Sequence, residues 1–244
     1  MKKVLASVAL AAAALAAPLV AQAGVLRSTI TFDPVPASPF TPFAPLLTNG
    51  DEFYQSGIGG RTMFFDTFSN SSLAQPGDLV GALLDGACAN LLCPTNNATT
   101  YLAMLDDAVA VFGHADGFTF SLKSVDASFI GSGDPFGATP GYLALQGVRN
   151  GQSLTAYFAL SGLDANGMLN FGTINTGAFG NYEFDYIYAY GFACQNTSCS
   201  AFSTNQAQFA LDNLVIEHVP EPASLALVFV AGAALAGARR RKAA

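Results

Sequence analysis

Residues 142–160 read YLALQGVRNGQSLTAYFAL, and this segment decides the fold class. Two runs of apolar, aromatic and β-branched residues lie on either side of Asn150-Gly151. Both residues of this dipeptide tolerate the positive φ angles of a two-residue type I′ turn. The segment therefore predicts a β-hairpin that turns at Asn150 and Gly151.

The next strong pattern is the strict alternation in residues 183–192, EFDYIYAYGF. In a strand, alternate residues share one face, and here that face carries Phe184, Tyr186, Tyr188, Tyr190 and Phe192. A sheet usually buries one of its faces, so the row favours a core stripe. A sugar-binding platform is the alternative, and the absence of Trp from the chain counts against it.

Two segments change the side that carries their apolar residues. In 118–129 the apolar residues move from even to odd positions at Lys123, and in 208–219 a similar change occurs at Asp212 and Asn213. One extra residue in a strand reverses the direction of every later side chain, so the sequence predicts a β-bulge or corner near Lys123 and a second break at Asp212 and Asn213.

The remaining segments favour strands separated by Gly, Asn and Asp clusters. Residues 24–32 and 61–68 predict strands, whereas 77–86 fits a strand or a short helix, and 99–113 has helical spacing that leaves helix and strand open. The Pro-rich segment 34–45 is expected over a sheet edge. The predicted fold is all-β, a single jelly-roll-like β-sandwich over residues 24–218.

Residues 1–23 predict a secretory signal peptide helix. Lys2 and Lys3 precede an apolar run, and Ala21 and Ala23 supply the small residues that signal peptidase requires, with cleavage expected after Ala23. An exported chain favours disulfides between its four cysteines. The two repeated spacings predict two local bridges, with a zinc site as the alternative, and they are Cys88-x4-Cys93 and Cys194-x4-Cys199.

The net charge of residues 24–218, which we call the body, argues against several classes of partner. Of 17 acidic residues only Glu221 lies outside residues 24–218, where the basic residues are Arg27, Arg61, Lys123 and Arg149, so this part carries a net charge of −12 (4 basic against 16 acidic). Such a surface repels nucleic acid and anionic lipid. Cations and neutral, hydroxyl-rich polymers remain as partners.

Residues 219–244 combine three features. Val219-Pro220-Glu221-Pro222 precedes an uncharged apolar segment, and the basic cluster Arg239, Arg240, Arg241 and Lys242 follows it. The 16 uncharged residues 223–238 would form a transmembrane helix about 24 Å long, shorter than the roughly 30 Å hydrocarbon core. This predicts a weak anchor with its basic end in the cytoplasm.

This arrangement resembles the PEP-CTERM sorting signal of exopolysaccharide-producing Gram-negative bacteria. The resemblance implies recognition by a membrane-embedded exosortase that cuts near the Pro-Glu-Pro triplet, with an ordinary uncut anchor as the alternative. It also implies a precursor held transiently in the inner membrane and then a protein at the cell surface or outside the cell. Gln208-Phe209-Ala210-Leu211-Asp212 is similar to a Gln-Phe-x-x-Asp segment in one largely uncharacterised PEP-CTERM family.

The sequence predicts no enzyme. It contains no nucleophile-elbow, zinc-protease or phosphate-loop motif, and neither His114, expected in a loop, nor His218 is expected to act as a base. No cofactor is expected other than calcium, for which the candidate ligands are Asp116, Asp134 and Asp212, and no metal site is assigned. Asp212 is expected to cap a bulge or to help such a site.

The predicted function is that of an exported cell-surface or extracellular-matrix protein, structural and associated with exopolysaccharide or biofilm. The alternatives are a carbohydrate-binding module for exopolysaccharide and a secreted hydrolase.

Overall fold

The computed structural model describes residues 24–33, 45–84, 91–131, 141–195, 198–202 and 207–218. The predicted signal peptide, the segment 34–44 and the sorting signal from residue 219 onward lie outside these residues. One compact unit spans Arg27–His218, and the other unit, Met1–Leu26 with Val219–Ala244, contributes only residues 24–26 to the description.

The described residues form an all-β structure of two antiparallel sheets packed as a sandwich. The strands, in chain order, are β1 (Leu26–Ile30), β2 (Leu46–Thr48), β3 (Asp51–Ser56), β4 (Thr62–Ser69), β5 (Leu79–Leu84), β6 (Tyr101–Met104), β7 (Ala108–His114), β8 (Ser121–Phe129), β9 (Gly141–Arg149), β10 (Gln152–Leu160), β11 (Gly172–Asn175), β12 (Tyr186–Gln195), β13 (Ser198–Ser200) and β14 (Phe209–His218). Two single-turn 3₁₀ helices lie at Ile58–Gly60 and Phe179–Asn181. The two-sheet architecture agrees with the predicted sandwich, while a jelly-roll connectivity stays a prediction.

The first sheet has the order β11-β8-β14-β6-β5-β2, and β1 also pairs with β14. The second sheet has the order β10-β9-β12-β7-β4-β3, and β13 also pairs with β12. Among the described strands, consecutive strands pair with each other only in β3–β4, β5–β6, β9–β10 and β12–β13, and most of the other connections cross between the two sheets.

The predicted hairpin is confirmed. Strands β9 and β10 pair without interruption from Gln152↔Arg149 to Leu160↔Gly141. Asn150 has φ 50° and Gly151 has φ 75°, the left-handed values that a type I′ turn requires. The turn chemistry therefore fixes the register of the longest regular pairing in the second sheet.

Both predicted breaks are present as irregularities in the pairing of β8 with β14, and they follow each other directly. Between Asp212 and Val215, β14 contains one residue more than β8, and between Ser124 and Leu122, β8 contains one residue more than β14. Asn213 takes φ 48° at the first irregularity. In each strand, the residues that face the core therefore change from even to odd positions or the reverse at this level of the sheet. Apolar side chains of both strands point into the core before and after the two bulges.

The segments 77–86 and 99–113, which the sequence left open, contain strands and no helix among their described residues, and β5 occupies Leu79–Leu84 of the first. The second contains β6 and β7, joined through Asp106 at φ 54°. All residues of β6 and β7 are buried, and β6 is covered on both of its faces. Leu102 and Met104 belong to the core between the sheets, and Tyr101 and Ala103 belong to a second cluster on the outer side of the first sheet. Strands covered on both faces lose the alternation that reveals a strand in a sequence.

The core between the sheets is rich in phenylalanine. Its largest completely buried side chains include Phe65, Phe112, Phe120, Phe129 and Phe209. The outer side of the first sheet is covered by the second cluster, to which Leu91 and Phe171 contribute from the connecting segments. One face of the sandwich is therefore covered by its own chain, and the outer face of the second sheet is where an accessible surface must be sought.

Candidate binding surface on the second sheet

The aromatic row of β12 lies on the outer face of the second sheet, so the expectation of a core stripe is wrong for most of it. Ile187 and Ala189 have no exposed surface and belong to the core. Alternation then turns the tyrosines between and beside them outward, where they are half-buried. The core already receives large rings from other strands, so small and aliphatic side chains on β12 suffice there.

Phe184 is the exception in the row. It precedes β12, is 3% exposed, and stacks on Phe179 with 4.6 Å between ring centroids. Phe184 pairs with Phe120 through an isolated bridge between the two sheets. The row therefore divides into one core phenylalanine and four outward aromatics from Tyr186 to Phe192.

Neighbouring strands add further rings to this surface. The register places Tyr54 of β3 opposite Phe64 of β4. Phe64 and Tyr186 lie opposite Gly113 of β7, one on each side of it, so the three rings share one row. On the other side, Tyr157 of β10 and Tyr190 both lie opposite Ala144 of β9. We call this surface the aromatic face, and its members are Tyr54, Phe64, Phe68, Tyr142, Tyr157, Tyr186, Tyr188, Tyr190 and Phe192.

The rings of the aromatic face contact one another edge to face. Tyr186 and Tyr188 have centroids 5.5 Å apart at 86°, and Phe68 lies 6.5 Å from Tyr188 at 88°. Tyr157 and Phe192 meet at 5.6 Å and 75°. These contacts hold the rings in place without covering them, since Tyr157 is 58% and Tyr142 is 38% exposed.

A depression of about 250 Å³ lies within the aromatic face. Phe202 closes one side, with its ring 5.3 Å from that of Tyr190 and tilted by 31°. The lining residues are Phe68, Asn70, Val109, Gln146, Tyr188, Tyr190 and Phe202. Aromatic walls with an amide from Asn70 and another from Gln146 form a shallow site with few polar groups.

Two carboxyl groups lie in the same row of the second sheet as Tyr188, which lines the depression. Asp66 lies opposite Glu52 on β3 and opposite Val111, which pairs with Tyr188. Partial burial, and then the charge of Glu52, raise the pKa of Asp66. Desolvation, followed by Tyr186, raises the pKa of Tyr188, so its hydroxyl stays protonated and able to donate.

Asp212 lies on the other sheet, away from the aromatic face. Its side chain has no exposed surface, and its carboxyl accepts hydrogen bonds from Asn97 Nδ2 at 2.7 Å and from the N–H of Asn213 at 2.7 Å. The Thr99 hydroxyl lies 3.3 Å from the same oxygen as Asn97. Asp212 thus joins the bulge of β14 to the segment that covers the first sheet. Burial raises its pKa, while the bond from Asn97 opposes this shift.

Of the other two calcium candidates, Asp116 is not grouped with Asp212 in the described structure. Asp116 forms an ion pair with Arg61, whose guanidinium lies 3.9 Å from the centre of the Phe118 ring. Asp134 lies outside the described residues. Among the residues described, no group of three or more His, Cys, Asp or Glu side chains is arranged to hold a metal ion, and calcium binding stays a prediction.

The cysteines are described in part. Cys194 and Cys199 form a disulfide between directly opposite positions of β12 and β13, as predicted. Cys93 is buried in the cluster on the first sheet. Cys88 lies outside the described residues, so the Cys88–Cys93 bridge stays a prediction.

His114 is the last residue of β7, not a loop residue as expected. It is 2% exposed, and neither ring nitrogen makes a hydrogen bond of acceptable geometry. Desolvation lowers the pKa of His114, although Asp116 and the backbone of Thr62 oppose this shift. The ring is therefore held neutral and apolar beside Phe118 and Phe120.

The contributions of β3, β4 and β10 to the aromatic face were not predicted from the sequence. Tyr54, Phe64 and Asp66 carry no motif, and only the pairing of their strands with β12 brings them together. Strand β12 itself was found, because its alternation is strict. The side of the sheet on which its aromatic residues lie was not predicted, because alternation shows that residues share a face but not whether that face is buried.

The predicted membrane anchor and sorting residues, Val219 to Pro222 and Arg239 to Arg241, fall outside the described residues, as do Ala21 and Ala23. Within the portion that is described, no helix has the length and apolar character needed to cross a membrane.

Comparison with known proteins gives a match for one segment. The family model of the PEP-CTERM protein-sorting motif matches residues 218–242. No curated protein matches the chain significantly. A solved structure of the CBM51-2 and INT domains from Clostridium perfringens ZmpB aligns with 79% of this chain at 9% identity and a TM-score of 0.26, and the alignment spans 44% of that structure. A similarity at that level supports no conclusion here.

The sorting motif begins at the residue where β14 ends, His218. Such a motif indicates export and sorting to the cell surface by an exosortase. The chain is therefore a β-sandwich protein that carries a PEP-CTERM protein-sorting motif over residues 218–242.

Proposed function

We propose that this protein is a non-catalytic cell-surface or matrix protein that binds a neutral polysaccharide through the aromatic face. The observation that carries the proposal is the outward direction of the β12 tyrosines around a depression of about 250 Å³. A sugar ring has apolar C–H faces and a rim of hydroxyls. Half-buried aromatic rings match the faces, and the amides and carboxyls beside them match the rim.

The charge of the protein favours a neutral polymer over an acidic one. The body carries a net charge of −12, and the carboxyl groups of Glu52 and Asp66 lie in the same row of the sheet as Tyr188, which lines the depression. A polyuronate would bring further negative charge to this surface, whereas a neutral glycan would not. Exosortase sorting delivers the protein to the place where an exopolysaccharide accumulates, so ligand and surface meet outside the cell.

The binding test uses affinity electrophoresis of the exported protein through gels that contain neutral glucans, mannans, galactans or an anionic polyuronate. We expect retardation by at least one neutral polymer. Tyr190→Ala should weaken that binding about tenfold, which corresponds to about 1.4 kcal/mol. Tyr182→Ala is the matched control, because Tyr182 is 58% exposed but lies outside the aromatic face. Failure of every neutral polymer to retard the protein contradicts the proposal.

The processing test is mass spectrometry of the protein recovered from an exosortase-bearing host. We propose that signal peptidase removes residues 1–23 and that exosortase cuts near Pro220-Glu221-Pro222. The mature protein should begin at Gly24, should lack Arg239 to Ala244, and should contain both disulfides. A C-terminus that still ends in Arg-Arg-Arg-Lys-Ala-Ala contradicts the sorting step.

A secreted hydrolase is the second candidate, favoured by one observation. Glu52 and Asp66 lie directly opposite each other on β3 and β4, and directly opposite residues have Cβ atoms about 5 Å apart. Retaining glycosidases place two carboxyls at about 5–5.5 Å, with the pKa of the acid raised. A hydrolase would release reducing sugar from the bound polymer, and Asp66→Asn would abolish that release. Binding without release supports the non-catalytic function.

A further inference from the structure

The free edge of β10 forms one end of the second sheet. Strand β10 pairs with β9 over nine residues, from Gln152 to Leu160, with no irregularity in the register. On its other side it has no strand partner among the described residues. It is therefore a long, regular edge strand.

The hairpin turn shows which backbone groups of β10 do not bond to β9. Gln152 and Arg149 close a two-residue turn and exchange hydrogen bonds, so alternate residues from Gln152 onward bond to β9. The residues between them direct N–H and C=O away from β9. These are Ser153, Thr155, Tyr157 and Ala159.

The strands at the other three ends of the two sheet paths have features that disfavour pairing. Strands β2 and β11 end the first sheet and have three and four residues. Strand β3 ends the second sheet on its other side and begins with Asp51 and Glu52. Short length and charge are the usual means by which proteins protect edges.

Strand β10 has neither form of protection. Its sequence QSLTAYFAL contains no charged residue and no proline. Leu154 is 38% and Tyr157 is 58% exposed. An uncharged, unbulged edge of nine residues is a template for another strand.

We propose that two copies of this chain associate by antiparallel pairing of β10 with β10. An antiparallel edge is complementary to itself under two-fold symmetry, so each copy offers the other its outward N–H and C=O groups. The charge of the chain favours this site. Two bodies of net charge −12 repel each other electrostatically. Strand β10 has nine residues without charge, so the repulsion is smallest where two copies approach through it.

The pairing would join the second sheets of two copies. Their aromatic faces would become neighbours, because Tyr157 lies on β10 and also belongs to the aromatic face. If the proposed function holds, two sites on one polymer would raise the overall affinity without any new contact to sugar. The association itself does not depend on sugar binding and is tested without it.

The test measures the mass of the exported protein in solution by sedimentation equilibrium, without polysaccharide. We expect two chains for the wild type and one chain for Thr155→Pro, which removes an outward N–H but no bond to β9. Thr155→Lys, which adds charge at the edge, should give the same result. Thr155→Val and Ser72→Lys are the controls, and both should remain dimeric. Thr155→Val adds no charge to the edge, and Ser72→Lys adds its charge in an exposed turn away from the edge.

Amide exchange identifies the surface directly and also guards against a misfolded variant. The N–H groups of Ser153, Thr155 and Tyr157 should be protected in the dimer and should exchange faster on dilution. A wild type that remains a single chain at its highest soluble concentration overturns the proposal. A dimer that persists in Thr155→Lys, or a larger assembly in which these amides are unprotected, also overturns it. A failure of sugar binding leaves this result unaffected.

Discussion

At the scale of single residues, Asp212 shows how a buried carboxyl can serve the fold. Its oxygens accept from Asn97, Asn213 and, at 3.3 Å, Thr99. Asn213 also donates from Nδ2 to Asp126 at 2.9 Å. A buried acceptor with several neutral donors fixes the position of the segment that carries them. Asp212, the aspartate of the Gln-Phe-x-x-Asp segment, thus fixes the position of the segment around Asn97 and Thr99, which precedes β6.

We predict that Asp212→Ala lowers the free energy of unfolding by about 1–3 kcal/mol, because it leaves the Asn97 amide without its acceptor. Urea denaturation measures this loss. In a double-mutant cycle with Asn97→Ala, the two losses should not add, since both substitutions remove the same hydrogen bond. Strictly additive losses would show that the bond contributes nothing to stability.

The second residue-scale prediction concerns His114, the pKa of which is lowered by burial. The unfolded chain takes up a proton near pH 6.5, and the folded chain takes it up only at lower pH. In that interval the unfolded state binds more protons, so the free energy of unfolding falls as the pH drops below about 6.5.

We expect His114→Leu to remove this part of the pH dependence between pH 7 and pH 5.5, measured by urea denaturation at each pH. His218→Leu is the comparison variant, because it removes one of the smaller charges that lower the His114 pKa but retains the burial, which is the largest cause, so most of the pH dependence should remain. A pH dependence that is unchanged in His114→Leu would be inconsistent with the neutral, buried state of this ring.

At the scale of strands, the opposed bulges of β8 and β14 depend on backbone that bends at one residue. Asn213 adopts φ 48°, a left-handed conformation that asparagine tolerates and β-branched residues do not. We predict that Asn213→Val destabilises the protein by about 1–3 kcal/mol more than Asn213→Gly, since both lose the bond to Asp126 but only valine adds backbone strain. Equal losses in thermal unfolding would mean that the bulge relaxes.

The strands also show what the sequence could predict and what it could not. The Asn150-Gly151 hairpin and both sidedness changes were predictable, because each depends on local chemistry or on the period of one strand. Strands β6 and β7 were not, since burial on both faces removes the alternation. The outward direction of Tyr188 was missed for a different reason. It is decided by the phenylalanines that other strands send into the core.

At the scale of the whole molecule, the two sheets differ in what covers their outer faces. The first sheet is covered by its own chain through the cluster around Tyr101 and Phe171, which meet at 5.3 Å. The second sheet presents the aromatic face. This asymmetry makes the second sheet the proposed binding side, and the sorting motif over residues 218–242 indicates that the protein is sorted to the cell surface.

The most direct test of the account is acetylation of surface tyrosines with N-acetylimidazole, with and without the neutral polysaccharide that retards the protein, followed by peptide mass spectrometry. The account predicts that all accessible tyrosines react in the free protein, and that the polymer protects Tyr186, Tyr188 and Tyr190 while Tyr182 remains reactive. Protection of Tyr182 alone, or equal reactivity of every tyrosine with and without the polymer, would contradict a binding site on the aromatic face.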